Sequence, residues 1–457
     1  MMDEVYQAIA LSSSGFVEAP AGCGKTEAIV KAVGSYCEHR QLILTHTHAG
    51  VDALRQRFKA HQIPTSKYQI DTIAGWAWGW VKRYPDNSNY TGSTDIAEWN
   101  NVYSAMSNLL QKNFVQQVVL NTYAGIIVDE YQDCTIPMHQ LITQLKMILP
   151  CRILGDPLQA IFGFRDDTLI EWSDVEGEFT NNLGALDTPH RWIKAGNEPL
   201  GRWLLGTRPA FFKNREPDFN GAPISRMRLG YNELSRQLIG LTHSKQGRIC
   251  IIGPKSHTLP TGAVTALVNQ KYKVLESNEL SVLKDFIQNF VEGTENTKKN
   301  AISNFLKKSY SGLSGEKNFI EKLINGTTQN PRHTNRKSLC ETRQSGITPA
   351  LILDLLSYIE DAGISCKLKE SVSALKCVLE EHITTTQSLS NLYADEIGKR
   401  KHQSRNSSFR CIGSTLLIKG LEFDHAVIIR GSNWGTNKDL YVALTRGSKS
   451  VTLIDAA

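Results

Sequence analysis

Short β-branched runs, apolar at nearly every position, recur along the chain between longer stretches whose apolar residues return every three to four places. The runs are GFVEA before the first glycine-rich loop, RQLILTHTH at 40–48, AGIIVDE at 124–130, CRILGD at 151–156, RICIIGP at 248–254 and HAVIIRGS at 425–432. A strand with one wet face alternates polar and apolar residues, whereas a continuously apolar run is buried on both faces. Parallel sheets covered by helices on both sides satisfy that condition, so the predicted class is α/β. Two segments break the rhythm. Residues 76–117 read as helical and aromatic; residues 278–408 read as helical, polar and rich in lysine. Both are taken as insertions into α/β cores.

Length and composition narrow the picture further. A chain of 457 residues is long enough for two or more domains, each with its own core. Its apolar runs are too short to span a bilayer, and the acidic N-terminus MMDEVYQAIALSSSG lacks a basic region followed by an apolar one, so a cytoplasmic protein without membrane contact is expected. Nine cysteines without a C-x-x-C pair argue against a disulfide framework or a zinc site. The net charge of +6 permits a polyanionic partner without requiring one. The run GKRKHQSRNSSFR at 398–410 holds five cations and no acid. It reads as a solvated linker before a strand, with phosphate contact as a secondary role.

Candidate chemistry enters with APAGCGKT, Ala19 to Thr26, set between an apolar run and a helical pattern. Backbone N–H groups curl around phosphate oxygens only where side chains do not block the approach. Ala21, Gly22, Cys23 and Gly24 supply that loop, Lys25 reaches the outer phosphates of ATP, and the Thr26 hydroxyl holds Mg²⁺. Ala19 stands where the usual pattern begins with glycine, and small residues at such a turn also serve packing. A second apolar run ends in IIVDEYQD, where Asp129 would hold the metal through water and Glu130 would orient and deprotonate the attacking water. The plainer reading of that acidic end is a helix cap.

DEYQD, together with LGDPLQAIFGFRDD, TPHRW, IKGLEFD and LYVALTRG, resembles the ordered motif series of superfamily 1A helicases of the UvrD/Rep/PcrA type, from Gln7 to Arg446. That resemblance implies two RecA-like P-loop cores, the first over 1–75 and 118–190 and the second over 191–277 and 409–457, with helical insertions at 76–117 and 278–408. It implies that Gln7 reads adenine, that Gln159 senses the terminal phosphate, and that Arg191 and Arg446 reach the γ-phosphate from the second core. His190 stands at the base-stacking position, and Gly420 and Glu422 at positions near the phosphates and ribose. The implied partner is single-stranded DNA or a DNA junction or end, stacked on Phe162 and Phe164, met by Arg165, and gripped along its backbone by Thr47 and Thr72. Trp76, Trp78 and Trp80 could lengthen the track, although their spacing cannot put all three on one helix face.

Several positions depart from the family pattern: His46, Ile73 and Ala74, His190, Leu416 and Glu27. They erode the DNA-coupling positions more than the hydrolytic ones. The implied activity is ATP-driven 3′ to 5′ translocation on single-stranded DNA with duplex unwinding; the alternative is an ATPase that senses DNA ends and licenses a partner nuclease with little unwinding. The compact form and the run DEYQDCTIPMHQLI also resemble the helicase-like subunit of Gabija-type antiphage systems. That narrower resemblance implies a hetero-oligomer with a separate nuclease related to the overcoming-lysogenization-defect family.

Overall fold

In the computed structural model, residues 2–91, 99–161, 168–253, 261–275, 278–327, 334–385, 387–390, 392–393, 396, 409–431 and 434–456 are described. Fourteen strands run through them: β1 Ser14–Glu18, β2 Gln41–Thr45, β3 Tyr68–Thr72, β4 Gly125–Val128, β5 Cys151–Gly155, β6 Asn182–Ala185, β7 Ser225–Leu229, β8 Ile249–Gly253, β9 Lys273–Val274, β10 Tyr310–Ser311, β11 Ser365–Cys366, β12 Arg410–Ser414, β13 Phe423–Arg430 and β14 Gly447–Ala456. Twelve of them form two six-stranded sheets, ordered β3-β2-β4-β5-β1-β6 and β7-β14-β13-β8-β12-β9. Every pairing in both is parallel. The α/β class read from the apolar runs is therefore the architecture found.

Burial explains why the runs had to be continuous. In the first sheet Leu42, Leu44, Ile126, Val128 and Ile153 face one core, while Ile43, Ile127, Leu154 and Val17 face another on the opposite side. The second sheet repeats the device, with Cys250, Ile252, Ala426 and Ile428 on one face and Ile249, Ile251, Val427 and Ile429 on the other. Successive side chains point to opposite faces of a strand, so two covered faces favour apolar residues throughout, and a polar exception such as Arg152 on β5 is held by hydrogen bonds to Ile9 O and Gln41 Oε1.

Between β3 and β4 lie the helices Ile73–Arg83, Pro85–Ser88, Trp99–Leu110 and Asn113–Thr122. Trp76 and Trp80 are buried in the first core beside Val102, Met106 and Leu109. Trp78 is half-buried, edge-on to Tyr90 at 5.5 Å with the Lys82 ammonium over its ring. All three tryptophans thus serve packing, Trp78 from the partly buried edge of the same core.

The chain divides into two compact units, residues 1–276 with 407–457, and residues 277–406. The first holds both large sheets. The second is built of helices packed around Leu283, Phe286, Phe305, Leu323, Leu355 and Leu375, with β10 and β11 pairing antiparallel. Among the described residues no helix is long and apolar enough to cross a membrane.

Candidate nucleotide site

The site begins where β1 stops. Ala19 donates its N–H to Gly155 O at 2.8 Å, after which the chain turns through Gly22 at φ 71° and Gly24 at φ 88° into the helix Lys25–Tyr36. Both glycines are required twice over. Positive φ strains any residue with a Cβ, and a Cβ on Gly22 would lie 2.6 Å from the Trp192 ring, while one on Gly24 would meet His190 Cδ2 at 3.2 Å. No side chain caps the helix after Gly24, so its first N–H groups point into the loop. Ala21 differs from its neighbours: its N–H is turned to Asp156 Oδ2 at 3.1 Å. Cys23 is buried, and burial, with the Asp156 charge behind it, pushes its thiol up to about 12, so it packs rather than reacts.

The acidic pair follows β4. Asp129 is buried, and Glu130 sits in the left-handed region at φ 57°, ψ 39°, a strained conformation for a residue with a side chain. Lys25 Nζ lies 2.6 Å from Glu130 Oε2 and 3.3 Å from Asp129 Oδ1. Gln132 Nε2 donates to Glu130 Oε2 at 2.5 Å. Burial works against all three charges. The two carboxylates nevertheless hold the Lys25 ammonium well above its ordinary range, and Lys25 with Lys419 brings Glu130 down to about 2, while burial and the Glu130 charge raise Asp129. Two adjacent carboxylates balanced by one ammonium, with Thr26 next in the chain after Lys25, offer the oxygen donors that suit a hard divalent cation such as Mg²⁺.

Three cations gather around the turns that follow β1, β4 and β5. Arg446, buried just beyond the helix Asn437–Leu444, donates from Nη2 to Gln159 Oε1 at 3.0 Å, from Nη1 to Leu421 O at 3.2 Å and from Nε to Val442 O at 2.9 Å. Burial, followed by repulsion from Arg191, brings its guanidinium down to about 10. Arg191 gives its backbone N–H to Gly22 O at 3.1 Å, its Nη1 to Thr445 O at 2.7 Å and its Nη2 to Glu422 at 2.6 Å. Lys419 pairs with Asp133 and reaches Gln159 O at 2.5 Å. Burial depresses Lys419 and raises Asp133 to about 6 despite their mutual attraction.

The remaining predicted positions vary. Gln7 is exposed on the helix Met2–Leu11, and Gly420 is left-handed at φ 79°. Thr47 and Thr72 are helix N-caps, accepting from Gly50 N at 3.1 Å and Gly75 N at 2.8 Å. Each hydroxyl keeps its own proton to donate. Phe162, Phe164 and Arg165 lie outside the described residues, as does most of the basic run. Sequence reasoning missed Asp156, Arg208, Tyr441 and the Lys419–Asp133 pair. Lys419, Asp133, Asp156 and Tyr441 stand inside quoted motifs, but no spacing says which of them will meet; Arg208 carries no motif at all.

His46, at a departure from the family pattern, lies 3.5 Å from Cys134 Sγ. Burial, with the Lys419 charge, pushes its imidazole down to about 3 against the pull of Glu130. The unfolded chain takes up a proton near its ordinary pKa of about 6.5 while the folded chain does not, so stability is expected to fall as pH drops from 6.5 toward 3. Urea midpoints measured across that window should fall less steeply for His46→Phe than for the parent.

The parallel sheet and its glycine loop define a P-loop nucleotide-binding α/β core. A family model described as an AAA domain matches residues 3–165, a stretch that includes Lys25, Asp129, Glu130 and Gln159. Among solved structures, the chain is similar to Arterivirus nonstructural protein 10 (helicase), with 10% identity and a TM-score of 0.39 over 99% of this chain and 62% of that one. It is similar also to the complex of that helicase with DNA, with 10% identity and a TM-score of 0.38 over 99% and 63% of the two chains. This chain therefore spans less than two thirds of the length of those helicase chains. No curated protein matches it.

Proposed function

We propose that the chain is a DNA-stimulated ATPase of the superfamily 1A type, which holds ATP between its two sheets and moves 3′ to 5′ along single-stranded DNA, separating strands at a junction. The observation that carries this reading is the hydrogen bond from Arg446, beside β14, to Gln159, beside β5. It brings a cation from one sheet to the turn after β5 on the other, the sheet whose turns after β1 and β4 carry Lys25, Asp129 and Glu130. A hydrolytic site shared by two lobes closes and reopens with nucleotide, and that motion does work when a strand is held.

In this reading Lys25, the loop N–H groups and Thr26 bind the triphosphate, Asp129 and Thr26 hold Mg²⁺, and Glu130 takes the proton of the attacking water. Bound Mg²⁺ would supply charge neutralisation at the phosphates. Arg446 and Arg191 would stabilise the negative charge that develops on them. His190, whose ring lies beside Gly24, would stack on the base.

The test is ATP turnover with and without single-stranded DNA, followed by strand displacement on a 3′-tailed duplex. Stimulation with opening supports the motor. Stimulation without opening selects the end-sensing ATPase, and turnover indifferent to DNA overturns both. Lys25→Ala is expected to lower turnover by at least about 100-fold, since it removes a charge aimed at the phosphates. The antiphage setting rests on the Gabija-type resemblance of the compact form and the DEYQDCTIPMHQLI run, and co-purification with a nuclease of the overcoming-lysogenization-defect type tests it.

A further inference from the structure

Arg208 stands on the helix Glu198–Phe212 and is 6% exposed. Its guanidinium spans two carboxylates at the ends of adjacent strands. Nη2 meets Glu18 Oε1 at 2.5 Å, where β1 enters the P-loop, and Nη1 meets Asp156 Oδ1 at 2.9 Å, just beyond β5. The same Nη1 donates to the Tyr441 hydroxyl at 2.5 Å, and that hydroxyl donates onward to Asp156 Oδ2 at 3.1 Å. Asp156, fully buried, also accepts from Ala21 N at 3.1 Å, Leu158 N at 3.3 Å and Gln159 Nε2 at 3.0 Å. Gln159 in turn holds Arg446.

Stability does not explain this cluster. A buried ion pair costs so much desolvation that apolar side chains of similar volume often serve as well or better. What apolar side chains lack is direction. Asp156 receives donors from the P-loop, from its own turn, from the helix carrying Arg208 and from the helix carrying Tyr441, so its orientation sets all of them together. Arg208 is the only cation bonded to Asp156 among the described residues, and its planar fork fixes the plane of contact in a way a point charge does not.

We infer that Arg208 is a positioning residue that, by clamping Glu18 and Asp156 to Tyr441, keeps the P-loop and the Gln159–Arg446 pair in one register. It touches no reacting atom. Its role rests on the ATPase reading above, and its own contacts, Glu18, Asp156 and Tyr441, are none of the groups assigned to the phosphates. Ala21 is the loop's contribution to this cluster, since its N–H faces Asp156 rather than the glycine turn.

The experiment compares the full chain with Arg208→Met, Arg208→Lys and Glu18→Gln. DNA-stimulated turnover and nucleotide affinity are measured separately, each variant's fold being checked by circular dichroism. Arg208→Met is expected to lower kcat by about 10- to 100-fold while the Kd for ATP stays within about twofold, the signature of an interaction that matters only in the transition state. Arg208→Lys should recover part of kcat, and Glu18→Gln should lose about three- to tenfold. In a double-mutant cycle with Gln159→Ala the two losses should fail to multiply, because both act on one relay. A purely structural role would instead lower thermal stability and ATP affinity together and leave the losses multiplicative, which overturns the inference. So does a folded Arg208→Met that turns over within twofold of the parent. If Arg208→Met does not fold, Arg208→Lys and Glu18→Gln decide on the same criteria. A parent protein that does not hydrolyse ATP removes the function reading and this inference together, whereas an active parent with an equally active variant removes the inference alone.

Discussion

Glu130→Gln is expected to abolish turnover, by about 10³-fold, while nucleotide binding is retained. The amide has the shape of the carboxylate but cannot take a proton, and general-base contributions of about 10²- to 10⁴-fold are ordinary. Binding should survive because Asp129 remains as a partner for Lys25 at 3.3 Å. The Gln132 amide, now 2.5 Å from Oε2, can donate to an amide oxygen equally well. Phosphate release in the steady state, set beside equilibrium binding of a fluorescent ATP analogue, checks both halves. Turnover within tenfold of the parent would remove Glu130 from the role of base. Loss of binding along with turnover would mean that the Lys25–Glu130 contact holds the loop itself in shape.

An equally large loss, about 10³- to 10⁵-fold, is expected for Arg446→Ala if this guanidinium serves as an arginine finger. Arg446→Lys should rescue little. All three guanidinium nitrogens are bonded, to Val442 O, Leu421 O and Gln159 Oε1, and also to Thr445 Oγ1, so a single ammonium cannot reproduce the fork. Some stability is lost as well, since each buried acceptor left without a donor costs about 1–3 kcal/mol. Melting temperature and single-turnover hydrolysis of the same sample separate the two effects. A variant that melts lower yet hydrolyses normally would assign Arg446 to structure alone and sink the two-lobed site.

The two residues differ in how visible they were beforehand. Glu130 follows directly on a buried apolar run, so its place at the carboxyl end of β4 could be read from the pattern of the chain, although its left-handed backbone could not. Arg446 was assigned by resemblance, and its partner Gln159 is separated from it by 287 positions. Nothing local in either segment announces the other. The P-loop shows the same division: its glycines were legible as a phosphate loop, but the Trp192 and His190 rings that also demand them come from beyond β6.

Thr47 and Thr72 show how one residue type can answer two needs. Each stands between a strand and a helix, where a hydroxyl caps the first turn, and the same position was read as a grip on DNA. Local chemistry requires the cap, and only a bound strand would reveal a second use. The spacing of Trp76, Trp78 and Trp80 was read as keeping them off one shared face; Trp76 and Trp80 are buried in the core and Trp78 packs half-buried against it.

The order of residues by itself determined the α/β class and the glycine turn with its lysine, because those depend on periodicity and on backbone freedom within a few neighbours. Tertiary structure alone decided which charges meet: Arg208 with Glu18 and Asp156, Lys419 with Asp133, and Arg446 with Gln159. The physical reason is range. Hydrophobic period and steric limits act over a handful of bonds, while a buried charge finds its counter-charge only after the two sheets have brought distant segments within about 3 Å, the reach of a hydrogen bond.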